Sequence, residues 1–233
     1  MRARALAAAG NAAEAWGLLG PLRQQRALPP AQHEVLERDL AVQSLRQAAD
    51  VNALAERWEV LPKARRAEAE VLAAYAARAA DLHWDDAAAH TLEQALDARW
   101  DEGLIDLYGR LPVGKLDSRR ASAQRWLHAH PDSPALLVTL ARLARQQGQW
   151  AQAQDFLHRA LSQGAGTDAW EELGLGYAAA GEEGMARRAL ANALAAQRGQ
   201  PTPQLPGRDL RQQIADQAVG EERDEHGLPR LRG

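Results

Sequence analysis

The chain reads as an all-α protein, a right-handed solenoid of about six stacked helical hairpins. Three observations predict this. Alanine, leucine, arginine, glutamine and glutamate, all good helix formers, recur along the 233 residues, and β-branched residues are too scarce to make a strand. A skeleton of Gly–x4–Ala–x3–Leu–x2–Ala–Leu runs from Gly148 to Leu161 and again, 33 residues later, from Gly181 to Leu194. Before the second copy, Trp170, Leu173, Gly174 and Tyr177 stand at i, i+3, i+4 and i+7, which makes one stripe of a helix.

The elements follow in order. Ala3–Ala9 and Ala12–Leu22 make a first hairpin, with Gly10, Ala15 and Leu19 at the spacing of Gly148, Ala153 and Leu157. Its basic and then apolar start resembles a leader, but Gly10, Asn11 and Glu14 interrupt the apolar run. The segment reads instead as the middle of a repeat cut at its amino end. "HEVLERDLAVQSLRQA" and "VNALAERWEVL" form a second pair. In the third, Leu72, Tyr75, Ala76, Ala79, Leu92, Ala95 and Leu96 lie 65 residues before their counterparts in the fifth, Pro134–Gly164. Trp84 and Trp150 are 66 apart, which predicts a one-residue slip at that turn. "GLIDLYGRL" and "RRASAQRWLHAH" form a degenerate fourth pair, and the last ends near residue 199. Glycine at 148 and 181 supplies the left-handed turn between paired helices. Pro29, Pro30, Pro62, Pro112, Pro131 and Pro134 are expected to stop helices. The array therefore spans 1–199, followed by a Pro/Gly linker over 200–208, a short capping helix over 209–219 and a disordered tail over 220–233.

The spacing of "AWEELGLGYAAAG" and the alanines and leucines after it resembles the tetratricopeptide repeat, a hairpin of about 34 residues. Leu157 and Leu190 stand where that repeat usually has an aromatic residue. The resemblance implies binding of peptides or partner proteins in a groove lined by the first helix of each pair. That face maps to Val138, Arg142 and Arg145 in one unit and to Asp168, Glu171 and Leu175 in the next. The Lys and Asn of the carboxylate-clamp subclass are missing. The bland alternative is that these charges only solvate a face.

Other chemistries find little footing. A net charge of −3 carries no basic excess, so nucleic acid is not an expected partner. The absence of cysteine excludes disulfides, thiolate nucleophiles and Cys-based zinc sites. None of the five serines lies in a nucleophile elbow, and no glycine loop cradles phosphate. The carboxylates of "WDDAAAH" and "WDEGL" fall at helix starts, where capping and the helix dipole explain them. The chain is therefore read as a non-enzyme with no metal site; Asp86 and His90 share a helix face but make only two ligands. His128 and His130 in "LHAHP" are candidate axial ligands for haem, against a bland reading as a helix end. The seven tryptophans read as packing anchors, with an aromatic shelf for haem or porphyrin as the alternative.

The order of landmarks goes further. "AWGLLGPLRQQRALPP", "LAERWEVLPKARRAEAEVLAAYAARAADL", "ALDARWDEGLIDLYGRL" and "AQRWLHAHPDSPALLVTLARLARQQGQWAQAQDFLHRAL" succeed one another, followed by "AWEELGLGYAAAGEEGMARRAL". Together they resemble the carboxy-terminal part of the HemY family, haem-biosynthesis-associated tetratricopeptide-repeat proteins of proteobacteria. The resemblance spans roughly Ala5 to Ala196. It implies an inner-membrane protein whose membrane hairpin precedes this stretch, and a scaffold for enzymes of late protohaem synthesis or a handler of tetrapyrrole. A general peptide-binding module outside haem metabolism is the remaining reading.

Overall fold

The computed structural model describes residues 5–6, 9, 11–19, 29–112 and 114–205. Among them are twelve α-helices and no strand, the all-α, tetratricopeptide-like architecture expected. The first expected hairpin is described only in part, and the capping helix at 209–219 and the tail at 220–233 lie outside the described residues. No helix among the described residues is long and apolar enough to cross a membrane. The chain forms two compact units, Met1–Gly114 and Lys115–Gly233. Their boundary falls inside the fourth hairpin anticipated from the sequence.

The first unit holds α1 (Ala12–Gly17), α2 (Pro30–Arg46), α3 (Val51–Val60), α4 (Lys63–Arg66), α5 (Ala69–Asp81), α6 (Asp85–Ala98) and α7 (Glu102–Arg110). Ala15 and Leu19 close on Leu36 and Leu40 of α2, with Trp16 packed against the cluster. Helix α5 is the hub, packing against α2, α3, α6 and α7. Its Tyr75 ring lies 4.3 Å from that of Trp58 and meets Trp84 edge-on at 6.4 Å, so two of the expected anchor tryptophans flank one tyrosine. Burial pushes the Tyr75 phenol up from its ordinary value. Two arginines tie helices to backbone carbonyls left open at helix ends: Arg78 donates twice to Ala48 O, and Arg57 donates to Ser44 O. Asp50 and Asp101 cap α3 and α7 by accepting from the Ala53 and Leu104 amides. That is the structural role anticipated for the acid after Trp100.

The second unit holds α8 (Leu116–Ala129), α9 (Pro134–Gln146), α10 (Trp150–Ser162), α11 (Thr167–Ala179) and α12 (Glu183–Gln197). The pairs α9/α10 and α11/α12 are antiparallel hairpins, and α9 also packs directly on α11. Leu136, Leu137, Leu140, Leu143, Leu157 and Leu173 fill the seams. Trp126 and Trp170 are buried, and Trp150 meets Tyr177 edge-on at 5.2 Å. Two of the prolines begin helices rather than stop them. Pro30 and Pro134 occupy first-turn positions, where the missing N–H costs nothing. Beyond α12 the chain does not simply run off as a linker. Asn192 Nδ2 donates to Pro203 O at 2.7 Å and Leu205 is buried, so residues 201–205 double back along α12.

The turns correct one expectation. Three of the hairpins close with an amide bonded to the carbonyl five residues back: Trp84 to Ala79, Gln149 to Ala144 and Glu182 to Tyr177. This is the Schellman closure, which requires a left-handed residue just before the donor. Gly148 and Gly181 provide it with φ of 75° and 78°; in the first unit His83 does so with φ of 58°. His83 lies 65 residues before Gly148, and α6 starts 65 residues before α10. The predicted slip is therefore absent. Trp84 is the N-cap of its helix and Trp150 the first helical residue, so the two tryptophans were never equivalent.

Two stability measurements follow. A side chain in the left-handed region is strained by about 1–2 kcal/mol, so His83→Gly is expected to gain roughly 0.5–1 kcal/mol in urea unfolding after the entropic cost of glycine. A loss would show that the His83 side chain itself holds the turn. A Cβ on Gly176 would sit 2.0 Å from Trp150 Cζ3. Gly176→Ala, normally favourable within a helix, should here cost about 1–3 kcal/mol, and Trp150→Leu in the same chain should recover part of that.

Candidate functional site

Helix α9 was expected to present Val138, Arg142 and Arg145 on an open face. Every residue from Leu136 to Ala144 is instead buried, with Val138 2% and Arg142 5% exposed. Val138 is a core residue and cannot line a groove. A guanidinium this enclosed needs a counter-charge, and Glu172 of α11 supplies it. Arg142 Nε donates to Glu172 Oε1 at 2.9 Å, and Arg145 Nη2 donates to Glu172 Oε2 at 2.8 Å. Arg145 Nε adds a third bond at 3.2 Å. One carboxylate thus accepts from two arginines one helical turn apart and clasps α9 to α11. These arginines hold hairpins together; they are corrected from partner-binding residues to structural ones.

The α11 residues separate from them. Glu171 is exposed, Leu175 is 51% exposed and Asp168 is half-buried. On the same hairpin Leu190 is 40% and Leu194 55% exposed. In a stacked array each hairpin is covered by the next, and these leucines stand where such cover is lacking. Leu190 also reaches inward, since a Cβ on Gly174 would lie 2.6 Å from its Cγ. Among the exposed positions on this hairpin, Leu175, Leu190 and Leu194 are large and apolar, and Glu171, Glu183, Arg187 and Arg188 carry charge.

The histidines are dispersed. His128 is exposed in the last turn of α8 and His130 is its half-buried C-cap, whose amide donates to Trp126 O at 2.8 Å. His90 and Gln94 on α6 pair through their side-chain nitrogens at 2.9 Å.

Two polar arrangements escaped the sequence reading. In the second unit Arg120 of α8 donates to the side-chain oxygens of Gln147, Gln149 and Gln152, and Gln147 donates to Asp117 at 2.7 Å. This ties α8 to the α9/α10 turn. In the first unit Arg65 of α4 bridges Glu68 at 2.6 Å and Glu37 at 3.1 Å. Burial opposes its charge, but the hydrogen bonds and charges of the two glutamates outweigh that and raise the guanidinium above its ordinary value. The only forewarning was the basic run "KARR", which marks no partner by itself.

A family model described as tetratricopeptide repeat matches residues 120–173, from the first turns of α8 through α9/α10 into the middle of α11. The second unit thus carries tetratricopeptide repeat sequence where its helices make that kind of hairpin. No curated protein and no solved structure matches the chain. Repeats of this class generally serve protein–protein interaction rather than catalysis.

The clasp makes a sharp distinction between neighbouring glutamates. Removing Glu172 takes from the buried Arg142 the carboxylate that its Nε donates to, so Glu172→Ala is expected to cost about 3–5 kcal/mol. Glu171→Ala should stay within about 0.5 kcal/mol. Equal effects in chemical denaturation would refute the assignment of the clasp to Glu172.

Proposed function

We propose that the chain is a non-enzymatic scaffold that docks partner proteins on the last described hairpin, α11/α12. One observation carries the reading: Leu175, Leu190 and Leu194 remain exposed on a hairpin whose other side is covered by residues 201–205. Exposed apolar residues rimmed by charge suit a partner surface better than bulk solvent. Asp168 and Glu171 from the predicted groove set stay with this face and favour a partner segment carrying basic residues beside apolar ones.

We further propose that the partners are proteins of late protohaem synthesis. The support is the landmark order, above all Trp-x-x-Leu-Pro at Trp58, Trp-Asp-x-x-Leu at Trp100 and Trp-Leu-x-x-His-Pro at Trp126. By the same resemblance, the proposed setting is the inner membrane, reached through a segment ahead of this stretch. Direct binding of haem or porphyrin through His128 or His130 has weaker support, because neither sits in a described cavity.

The immobilised chain should enrich haem-pathway enzymes from a proteobacterial lysate above an inert helical control. Leu175→Glu with Leu194→Glu should cut that enrichment about tenfold while leaving the helical circular dichroism unchanged. Enrichment of other proteins, lost in the same double variant, would keep the docking face and remove the haem link. Absence of any enrichment would remove both.

A further inference from the structure

Several cations of the first unit are matched by acids among the described residues. Arg65 is held by Glu37 and Glu68, Arg38 by Glu70, and Arg110 by Asp106. Lys63, Arg66 and Arg99 have no ion-pair partner among the described residues, and all three line one cleft of about 540 Å³. No carboxylate lines it with them. Arg66 Nε is buried and makes no hydrogen bond, and its guanidinium carbon lies over the Trp58 ring, 6.0 Å from the centroid. The lining is otherwise largely apolar, built from Trp58, Leu72 and Leu104 with small alanines between.

The cleft exists because α4 is inserted between α3 and α5. Its single turn brings Lys63 and Arg66 opposite the end of α6, where Arg99 is the C-cap. The α6 carboxy-terminal carbonyls favour one nearby cation, but three cations line this one hollow, Lys63 and Arg99 exposed to solvent and Arg66 half-buried. A donor group buried with nothing to donate to carries a cost. Folding conserves such an arrangement most cheaply when an anion from outside completes it. The volume falls within the roughly 300–1,000 Å³ of small-ligand sites, and the mix of apolar lining with a few convergent polar groups is theirs as well.

We propose that this cleft binds an organic anion with an apolar body, its acid groups meeting Lys63, Arg66 and Arg99 and its body lying on Trp58, Leu72 and Leu104. The site lies wholly within the first unit and does not rest on the proposed docking face. A free small acid and the acidic end of a peptide share this chemistry.

Anilinonaphthalene sulfonate, an aromatic sulfonate, is the direct probe on the full chain. It should bind saturably with enhanced fluorescence and weaken as salt is raised. Lys63→Glu and Arg99→Glu should each lower its affinity by about fivefold or more, while Arg46→Glu, an exposed cation of the same unit outside the cleft, leaves it unchanged. The uncharged N-phenylnaphthylamine should bind both charge variants as it binds the parent chain. Lys63→Gln and Arg99→Gln repeat the test if either reversal perturbs the fold, which circular dichroism reports. Displacement by acetyl-Phe-Glu-Glu assigns the site to acidic peptide ends; displacement by naphthalene disulfonate alone assigns it to free small acids. Unsaturable binding, affinity indifferent to both cations, or displacement by neither competitor overturns the proposal.

Discussion

Paired helices here can approach only where one of them carries almost no side chain. Ala88, Ala153 and Ala186 occupy the same place in the second helices of three hairpins, and all are buried. A methyl at that crossing lets the facing helix come close enough for the leucine one turn later to enter the seam. Leu92 and Leu157 do so completely. The contact of Gly174 with Leu190 goes one step further, with no side chain at all on one partner. The left-handed residue at each turn complements this, because it sends the second helix back along the first in a fixed register. Changes elsewhere on these helices meet solvent or adaptable neighbours; changes at the crossings meet backbone and ring atoms.

Charge follows a second rule that depends on the first. Once helices lie this close, any arginine between them loses water and must find an acceptor. Arg142 and Arg145 share Glu172, Arg65 is held between Glu37 and Glu68, and Arg78 turns to the Ala48 carbonyl. These cations are fully used in holding the array together. Lys63, Arg66 and Arg99 stand apart because the inserted turn of α4 gathers them without bringing an acid. Function is therefore sought where the structure leaves its own chemistry incomplete: a hollow with cations and no acid in the first unit, and a hairpin with uncovered leucines in the second.

Much of the fold was legible in advance. The 33-residue period places α11 one period after α9, and the 65-residue offset places α5 the same way before α9. Periodicity of this kind is local, since it depends on residues three and four apart on one helix and on a turn that follows directly. The slip inferred at Trp84 failed for the opposite reason. It compared two large residues by identity, whereas the turn is governed by which residue adopts positive φ, and histidine did so in place of glycine.

The candidate sites were much less legible. A helical wheel places Arg142 and Glu171 on mapped faces but is silent on which neighbouring helix covers them, and one position separates the exposed Glu171 from the enclosed Glu172. The sequence by itself determined helix type, hairpin spacing and the small residues at the crossings, because each depends on contacts within a few residues of chain or on a repeat of fixed length. Only the tertiary structure decided which arginines are spent on clasps, where the chain parts into two units, and that Lys63, Arg66 and Arg99 share a hollow. Those outcomes depend on groups some thirty residues apart meeting in space, where burial, and not spacing, sets the cost of a charge.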